Sequence, residues 1–258
     1  MSRPLLAIAL IAVATTATVG IASQQRGYLA DSAFDILAVL PPAPVKGDAR
    51  YQADRKIFKA TRRMIGTPRY ALATRDADYR QSALMTDFSC AVGVSLTPEK
   101  APLTKALVGR ALVDTEEQTI AAKNYYKRLR PFLIDGGAIC EDKAELAKSY
   151  DYPSGHTTLG WTWALVLADL VPDRATDILA RGRAYGDSRF ICGAHNESAV
   201  EGGKLSAGAT MAVVRTTPGY QADAAAARSE LNALLRDPGT PKPNGCDEER
   251  RLIAQRVL

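Results

Sequence analysis

The feature that most constrains this chain is a series of three polar clusters in its middle, at residues 123–131, 153–156 and 188–195. The chain has two histidines, His156 and His195, and they fall in the second and third clusters. The stretches between the clusters are short enough for all three to belong to one helical domain. We therefore expect a site between helices to which every cluster contributes.

The rest of the chain has the signals of helices and few signals of strands. Asp114-Thr115-Glu116-Glu117 resembles a capping box, and it predicts a helix over about 115–129 that carries Lys123 in its second half. A later helix is predicted to start at Pro172 and to end where Gly186-Asp187-Ser188 interrupts it. The predicted fold class is all-α, a helical bundle.

The residue types in the clusters suit phosphate or a similar tetrahedral oxyanion. Arginine grips two oxygens with a planar fork, and lysine supplies a point charge. A Ser-Gly pair before a helix offers a hydroxyl group, free backbone N–H groups and the positive end of the helix dipole. The candidate phosphate-binding residues are Lys123, Arg130, Ser154, Gly155 and Arg189.

The two histidines are the candidate catalytic residues, His195 and His156. A pair of histidines can supply a nucleophile and a general acid, which favours phosphoryl transfer through a phosphohistidine. Each cluster also has an ordinary interpretation, because Lys-Arg runs are commonly solvated helix faces and a lone histidine is more often structural. The combination of all three clusters with both histidines is what favours catalysis.

The spacing of these residues resembles a known family signature. Lys-x6-Arg-Pro from Lys123, then Pro-Ser-Gly-His from Pro153, then Ser-Arg-x5-His from Ser188 is similar to the pattern of the type 2 phosphatidic-acid phosphatase and vanadium haloperoxidase superfamily. The Tyr-Tyr pair before Arg130 and the Pro41-Pro42-Ala43-Pro44 segment are most similar to bacterial class A non-specific acid phosphatases. The resemblance implies a helical bundle of that kind.

The resemblance also implies a function and a role for each histidine. The chain is expected to be an acid phosphatase that hydrolyses small phosphate monoesters and needs no metal and no cofactor. His195 is expected to attack phosphorus, and His156 to protonate the leaving oxygen and then activate water. A vanadium haloperoxidase is the alternative enzyme, since that family shares the anion site and binds vanadate through the last histidine.

One residue departs from the family pattern. The pattern continues as His-x3-Asp, and the aspartate fixes the tautomer of the nucleophilic histidine, but this chain has Ala199 at that position. If a helix follows His195, position 199 shares its face, and Ser198, a backbone carbonyl or an acid from elsewhere must orient the ring. A catalytically impaired phosphate-binding relative is therefore a further alternative, and Ala199→Asp is expected to raise turnover unless another group already orients the ring.

The N-terminal region predicts export. Residues 1–23 are typical of a signal peptide, with Arg3 before an apolar stretch and small residues at its end, although a membrane anchor is the alternative. Residues 24–50 are expected to be an extended arm or linker, and 51–258 a single all-α phosphatase domain. The predicted location is periplasmic or secreted, without stable membrane insertion after cleavage, and the protein is a possible homo-oligomer.

The cysteines and the net charge agree with that location and with a small anionic substrate. Cys90, Cys140, Cys192 and Cys246 are disulfide candidates, and sequential pairing (Cys90–Cys140, Cys192–Cys246) is the expected connectivity among three possibilities. Their spacing does not suit zinc. The net charge of +5 is a mild bias without a long basic tract, so no nucleic-acid partner is expected.

Overall fold

The computed structural model describes residues 26–258, and within that range it contains eleven α-helices and no β-strand. The all-α class predicted from the sequence is confirmed. The predicted signal peptide, residues 1–23, lies outside the described residues. The helices are α1 (Ala49–Thr61), α2 (Pro68–Arg75), α3 (Gln81–Val92), α4 (Pro102–Tyr126), α5 (Pro131–Ile134), α6 (Lys143–Leu146), α7 (Gly155–Leu170), α8 (Ala175–Cys192), α9 (Glu197–Val214), α10 (Pro218–Arg236) and α11 (Cys246–Ala254).

Helix α7 is the centre of the bundle, and it packs against α4, α8 and α9. It is apolar around most of its circumference because neighbouring helices cover it on several sides. Trp163 is fully buried in this core. Glycine allows close approach to α8: a Cβ added at Gly160 would lie 2.2 Å from Cδ1 of Tyr185, and one added at Gly182 would lie 2.4 Å from Cβ of Ala164.

Helix α4 is longer than the sequence predicts. It is continuous from Pro102 to Tyr126, so the expected helix start at Asp114 is wrong. The Asp114 carboxylate accepts hydrogen bonds from the backbone N–H groups of Tyr28 and Leu29, at 2.8 and 3.1 Å, instead of capping a helix. The continuous helix carries Lys123 in its last turn.

Helix α8 is also continuous where a break was expected. It runs through Gly186, Asp187 and Ser188 and ends at Cys192. Contacts with other helices stabilise the helical conformation of these residues. Gly186 faces the Thr157 side chain of α7, and the Ser188 hydroxyl donates a hydrogen bond to buried Asp76 at 2.6 Å. Arg189 therefore lies in the last turn of α8 and not in a loop.

The segment before α1 lies along α4 of its own chain. The backbone N–H of Ile36 donates to Gln118 at 3.0 Å, and the Ile36 side chain is fully buried. The Tyr152 hydroxyl, next to the second polar cluster, donates to the carbonyl of Pro41 at 2.8 Å. The described part of the predicted arm thus contacts both α4 and the loop that leads into α7.

The expected disulfide connectivity is wrong. Cys90 pairs with Cys246, and Cys140 pairs with Cys192, with Cα atoms 5.3 and 5.0 Å apart. The tertiary fold determines the pairing. The end of α3 lies next to the start of α11, and the loop after α5 lies next to the end of α8. None of the helices in the described part of the chain is both long and apolar enough to cross a membrane.

Candidate active site

A cavity of about 410 Å³ opens where the end of α4, the start of α7 and the loop after α8 meet. Five of the seven predicted site residues line it, and the other two, Ser154 and Arg189, are fully buried. The structure therefore brings residues from all three polar clusters to one place. The five that line the cavity are Lys123, Arg130, Gly155, His156 and His195.

The second cluster forms the start of α7. Ser154 is the N-cap residue, and its hydroxyl oxygen accepts the backbone N–H of Thr157 at 3.3 Å and the Thr157 hydroxyl at 3.0 Å. The N–H groups of Gly155 and His156 follow in the first helical turn, where no intrahelical acceptor is available. These groups and the positive end of the helix dipole suit an anion at the cavity floor.

His195 lies in the loop between α8 and α9, and its contacts decide its tautomer. Its Nε2 is 3.0 Å from Nη1 of Arg130, and arginine can only donate, so Nε2 has no proton. Its Nδ1 is 2.8 Å from the main-chain oxygen of Asp151 and 2.9 Å from Oδ1 of the same residue, so Nδ1 carries the hydrogen. The unprotonated Nε2 is the nitrogen available as a nucleophile.

Burial holds the His195 pKa well below its ordinary value, and the positive charges of Arg130, Lys123 and Arg189 lower it further. The ring is 2% exposed. The loop that carries it folds back on α8: Gly193 has a left-handed φ of 89°, and the His195 N–H donates to the Arg189 carbonyl at 3.3 Å. His195 is consequently held neutral and close to the end of α8.

His156 has the opposite arrangement of ring nitrogens. Its Nε2 is 3.0 Å from the carbonyl oxygen of Ala77, which can only accept, so Nε2 carries a hydrogen and Nδ1 is the free nitrogen. The ring of Tyr79 packs against it edge-on with centroids 5.5 Å apart. Burial lowers the His156 pKa well below its ordinary value, and Arg189, Arg130 and Lys123 lower it further.

The cations of the first cluster are unusually buried. Burial lowers the Lys123 pKa to about 7, with Arg130 adding to the effect and Asp151 opposing it, and its Nζ donates to the Tyr150 carbonyl. Burial also lowers the Arg130 pKa to about 10, which leaves the guanidinium charged near neutral pH. Arg130 is held by the Ser149 and Ala194 carbonyls at 2.8 and 2.9 Å.

Arg189 has spare hydrogen-bond donors. Its Nη2 forms an ion pair with Glu141, next to the Cys140–Cys192 disulfide. Within residues 26–258, neither its Nε nor its Nη1 has a hydrogen-bond partner, although both atoms are buried. Buried unpaired donors on a guanidinium are suited to an oxyanion.

Comparison with known proteins decides the family. A sequence model described as the PAP2 superfamily matches residues 103–222, a range that contains all seven predicted site residues. The chain is 38% identical to an acid phosphatase of Zymomonas mobilis over 84% of this chain and 83% of that protein. It is 36% identical to non-specific acid phosphatases of Providencia stuartii, over 81% of this chain and 86% of the relative, and of Salmonella typhimurium, over 80% and 84%.

The chain belongs to the class A type of acid phosphatase in the PAP2 superfamily. The family resemblance inferred from the three clusters is confirmed.

One buried acid beside His195 in the acid phosphatase was missed by sequence reasoning. Asp151, the contact of His195 Nδ1, is fully buried two residues before Pro153, in a stretch interpreted as a loop. The sequence signal that could have identified Asp151 is its position next to the Pro-Ser-Gly-His cluster. Ala199 does not follow His195 on one helix, because α9 begins at Glu197.

The mouth of the acid phosphatase cavity has a mostly apolar wall. Tyr79 and Ile120 line it and are 66% and 57% exposed, and Leu146 and Leu159 complete the wall. Glu116 is the one acidic residue that lines the cavity within residues 26–258. Over the same residues, the one group of three potential metal ligands is Cys140, Glu141 and Cys192, and its two sulfurs form a disulfide.

Proposed function

We propose that this acid phosphatase is exported and hydrolyses phosphate monoesters through a phosphohistidine on His195, without a metal ion. The observation that carries the mechanism is the contact between Nε2 of His195 and the Arg130 guanidinium in a cationic cavity, because it implies that Nε2 has no proton. Export to the periplasm or the medium is supported by the two disulfides, which persist in oxidising compartments, and by the sequence of residues 1–23.

The cationic residues bind the phosphoryl group in this proposal. Lys123, Arg130 and Arg189 contact its oxygens, and the Ser154 hydroxyl and the Gly155 N–H add hydrogen bonds. The free Nε and Nη1 of Arg189 support this assignment, because a phosphate would supply the acceptors that they lack. Preorganised positive charge of this kind stabilises the equatorial oxygens as charge spreads over them in the transition state.

The two histidines carry out the two displacement steps. Nε2 of His195 attacks phosphorus, the N–P bond forms as the ester P–O bond breaks, and His156 gives its Nδ1 proton to the leaving oxygen. His156 then takes a proton from water, whose oxygen attacks phosphorus, and the N–P bond breaks to release phosphate and neutral His195. A bound phosphate dianion offsets the cations that lower the His156 pKa, so substrate binding favours the protonated acid.

The cavity mouth favours leaving groups that are uncharged and partly apolar. Ile120 and Tyr79 offer apolar surface to an aryl or alkyl group. Glu116 at the same mouth repels a second anionic group. Simple aryl phosphates are therefore expected to be better substrates than compounds with a further phosphate on the leaving group.

The two alternatives from the sequence receive less support. The named relatives are phosphatases, which favours phosphate over vanadate chemistry. An impaired binding protein was motivated by Ala199, but Nδ1 of His195 already has a carboxylate partner in Asp151.

The deciding experiment traps the intermediate. The mature protein is mixed with ³²P-labelled aryl phosphate at pH 5 to 7 with EDTA present, and the reaction is quenched in alkali, which preserves phosphohistidine. We expect label on the wild type, none on His195→Ala, and inhibition by vanadate. Vanadate-dependent halide oxidation, or phosphate binding without turnover, would contradict the proposal.

A further inference from the structure

Asp151 stands apart from the residues that the family pattern names, yet it makes the closest side-chain contact to Nδ1 of His195. We propose that Asp151 is the positioning residue that fixes the His195 tautomer, in place of a carboxylate at position 199. The inference rests on the proposed function, because it assigns a role within the same reaction.

The geometry shows a carboxylate committed to this task. Asp151 Oδ1 accepts from His195 Nδ1 at 2.9 Å and from the backbone N–H of Asn196 at 3.1 Å. Its Oδ2 accepts from Nδ2 of Asn196 at 2.8 Å and lies 3.6 Å from Nη1 of Arg128. All of these neighbours of the two carboxylate oxygens are hydrogen-bond donors. The surroundings therefore suit an ionised carboxylate, which can only accept hydrogen bonds.

A second buried carboxylate keeps Arg128 in place. Arg128 donates to Asp54 at 2.6 Å and to the Ser198 hydroxyl at 2.6 Å, and the Ser198 N–H donates to Asp54 at 2.9 Å. Asp54 lies on α1 and is 1% exposed. A buried carboxylate needs partners of this kind to remain charged, and burial does raise the Asp151 pKa while Arg128 lowers it.

Position 199 has a different task in this chain. The Ala199 side chain packs in an apolar cluster with Ala122 and Tyr152. Its carbonyl accepts the Ser154 N–H at 2.8 Å, which links α9 to the start of α7. The carboxylate at His195 therefore comes from the loop before α7, and that loop is tied to the first cluster because the Asp151 N–H donates to the Arg128 carbonyl at 2.9 Å.

The proposal predicts an unusual order of mutant activities. Asp151→Ala removes the carboxylate, but the main-chain oxygen of residue 151 still accepts from Nδ1, so kcat is expected to fall only about 10-fold to 100-fold. Asp151→Asn places an amide NH₂ among donors. Rotation of that amide toward His195 sets it against the Nδ1 hydrogen and favours the tautomer with the proton on Nε2, which the Arg130 guanidinium opposes. A wrong tautomer of this kind costs up to about 10⁴-fold, so asparagine is expected to be the more damaging substitution.

The test combines this order with a direct reading of the tautomer. Since the chain has two histidines, histidine-selective ¹⁵N labelling gives the NMR signals of two imidazole rings. The spectrum of the His156→Asn variant assigns them. We expect a protonated Nδ1 and an unprotonated Nε2 on His195 in the wild type, a similar pattern in Asp151→Ala, and a shift toward protonated Nε2 in Asp151→Asn. Asp76→Asn, which alters another buried Asp–Arg pair, is the control, expected to lower Tm without moving the His195 signals.

The outcomes separate this inference from the proposed function. The ¹⁵N spectrum needs no substrate, so it tests Asp151 even in a protein without turnover. A wild-type His195 protonated at Nε2 would overturn the assignment whether or not the variants fold. Equal or higher kcat for Asp151→Asn than for Asp151→Ala, with Nδ1 protonated in both, would reduce Asp151 to a structural residue.

Discussion

At the scale of single residues, the two histidines differ in which ring nitrogen is free. Nε2 of His156 donates to a carbonyl, whereas Nε2 of His195 accepts from a guanidinium. The Ala77 carbonyl and the Arg130 guanidinium cannot exchange donor and acceptor roles, so each favours one tautomer through Nε2. At His195, the proposed role of Asp151 concerns the other ring nitrogen, Nδ1. The nitrogen that has no hydrogen is Nε2 in His195 and Nδ1 in His156, and these are the two atoms that the proposed mechanism uses.

The proposed role of His156 as general acid predicts that its loss affects substrates according to their leaving group. His156→Asn is expected to lower kcat/KM by about 10² to 10⁴-fold for an alkyl phosphate. The loss is expected to be much smaller for nitrophenyl phosphate, whose leaving oxygen needs little protonation. Steady-state kinetics on both substrates checks this, and equal losses on the two would contradict the assignment.

The lowered pKa of Lys123 predicts a pH dependence of anion binding. With a pKa of about 7 in the free enzyme, Lys123 is cationic below that pH and neutral above it, so affinity for phosphate is expected to fall as the pH rises through 7. Lys123→Arg keeps its charge and should show a flatter profile. Inhibition constants for phosphate from pH 5 to 9 test this, and comparing the two proteins removes the titration of phosphate itself.

At the scale of elements, three helix ends form the candidate site. Lys123 and Arg189 lie in the last turns of α4 and α8, where a cation is favoured by the negative end of the dipole, and α7 presents its positive end. Close packing of α7 against α8 sets the distance between two of these ends. The glycines in that contact are therefore structural residues of the site, although they carry no chemistry.

Two glycine substitutions test this packing. Gly182→Ala would place a Cβ 2.4 Å from Cβ of Ala164, and it is expected to destabilise the protein by about 1–3 kcal/mol. Gly208→Ala in α9 meets nothing within 4 Å, so it is expected to be neutral or to stabilise by up to about 1 kcal/mol. Urea unfolding of both variants measures the difference, and similar effects would argue against tight α7–α8 packing.

At the scale of the whole molecule, the two disulfides connect distant parts of the chain for different purposes. Cys90–Cys246 ties α11 to the end of α3, far along the chain from the clusters. Cys140–Cys192 instead joins the end of α8 to the loop whose Glu141 pairs with Arg189. One bond is therefore expected to affect stability alone, and the other to affect stability and phosphate binding.

Paired alanine variants separate these roles. The sequence separations of 156 and 52 residues correspond to about 5 and 4 kcal/mol in the chain-entropy description, so both double variants are expected to have a lower Tm. Only Cys140→Ala/Cys192→Ala is expected to raise KM as well. Without that disulfide, the loop that carries Glu141 is no longer held against α8, so the ion pair of Glu141 with Arg189 is weakened. A raised KM in Cys90→Ala/Cys246→Ala with none in the other pair would reverse the assignment.

Much of the site was predictable because its chemistry is local in sequence. Lys123, Arg130 and the Pro-Ser-Gly-His segment stand at helix ends, where capping signals and charge are visible without a structure. The helical class followed in the same way from apolar spacing and caps. Five of the seven predicted site residues line one cavity, while Ser154 caps α7 and Arg189 lies in the last turn of α8.

The sequence by itself thus determined the helical class and the clusters that supply five residues to one cavity, since both are visible from neighbours along the chain. Tertiary structure decided the continuity of α4 and α8, the disulfide partners and the carboxylate at His195. Asp114 leaves its expected capping position to bind the N-terminal segment, and Asp151 reaches His195 across 44 positions of sequence. Each of these outcomes depends on which groups meet in the folded core, where a buried donor or charge must find its partner wherever the fold supplies one.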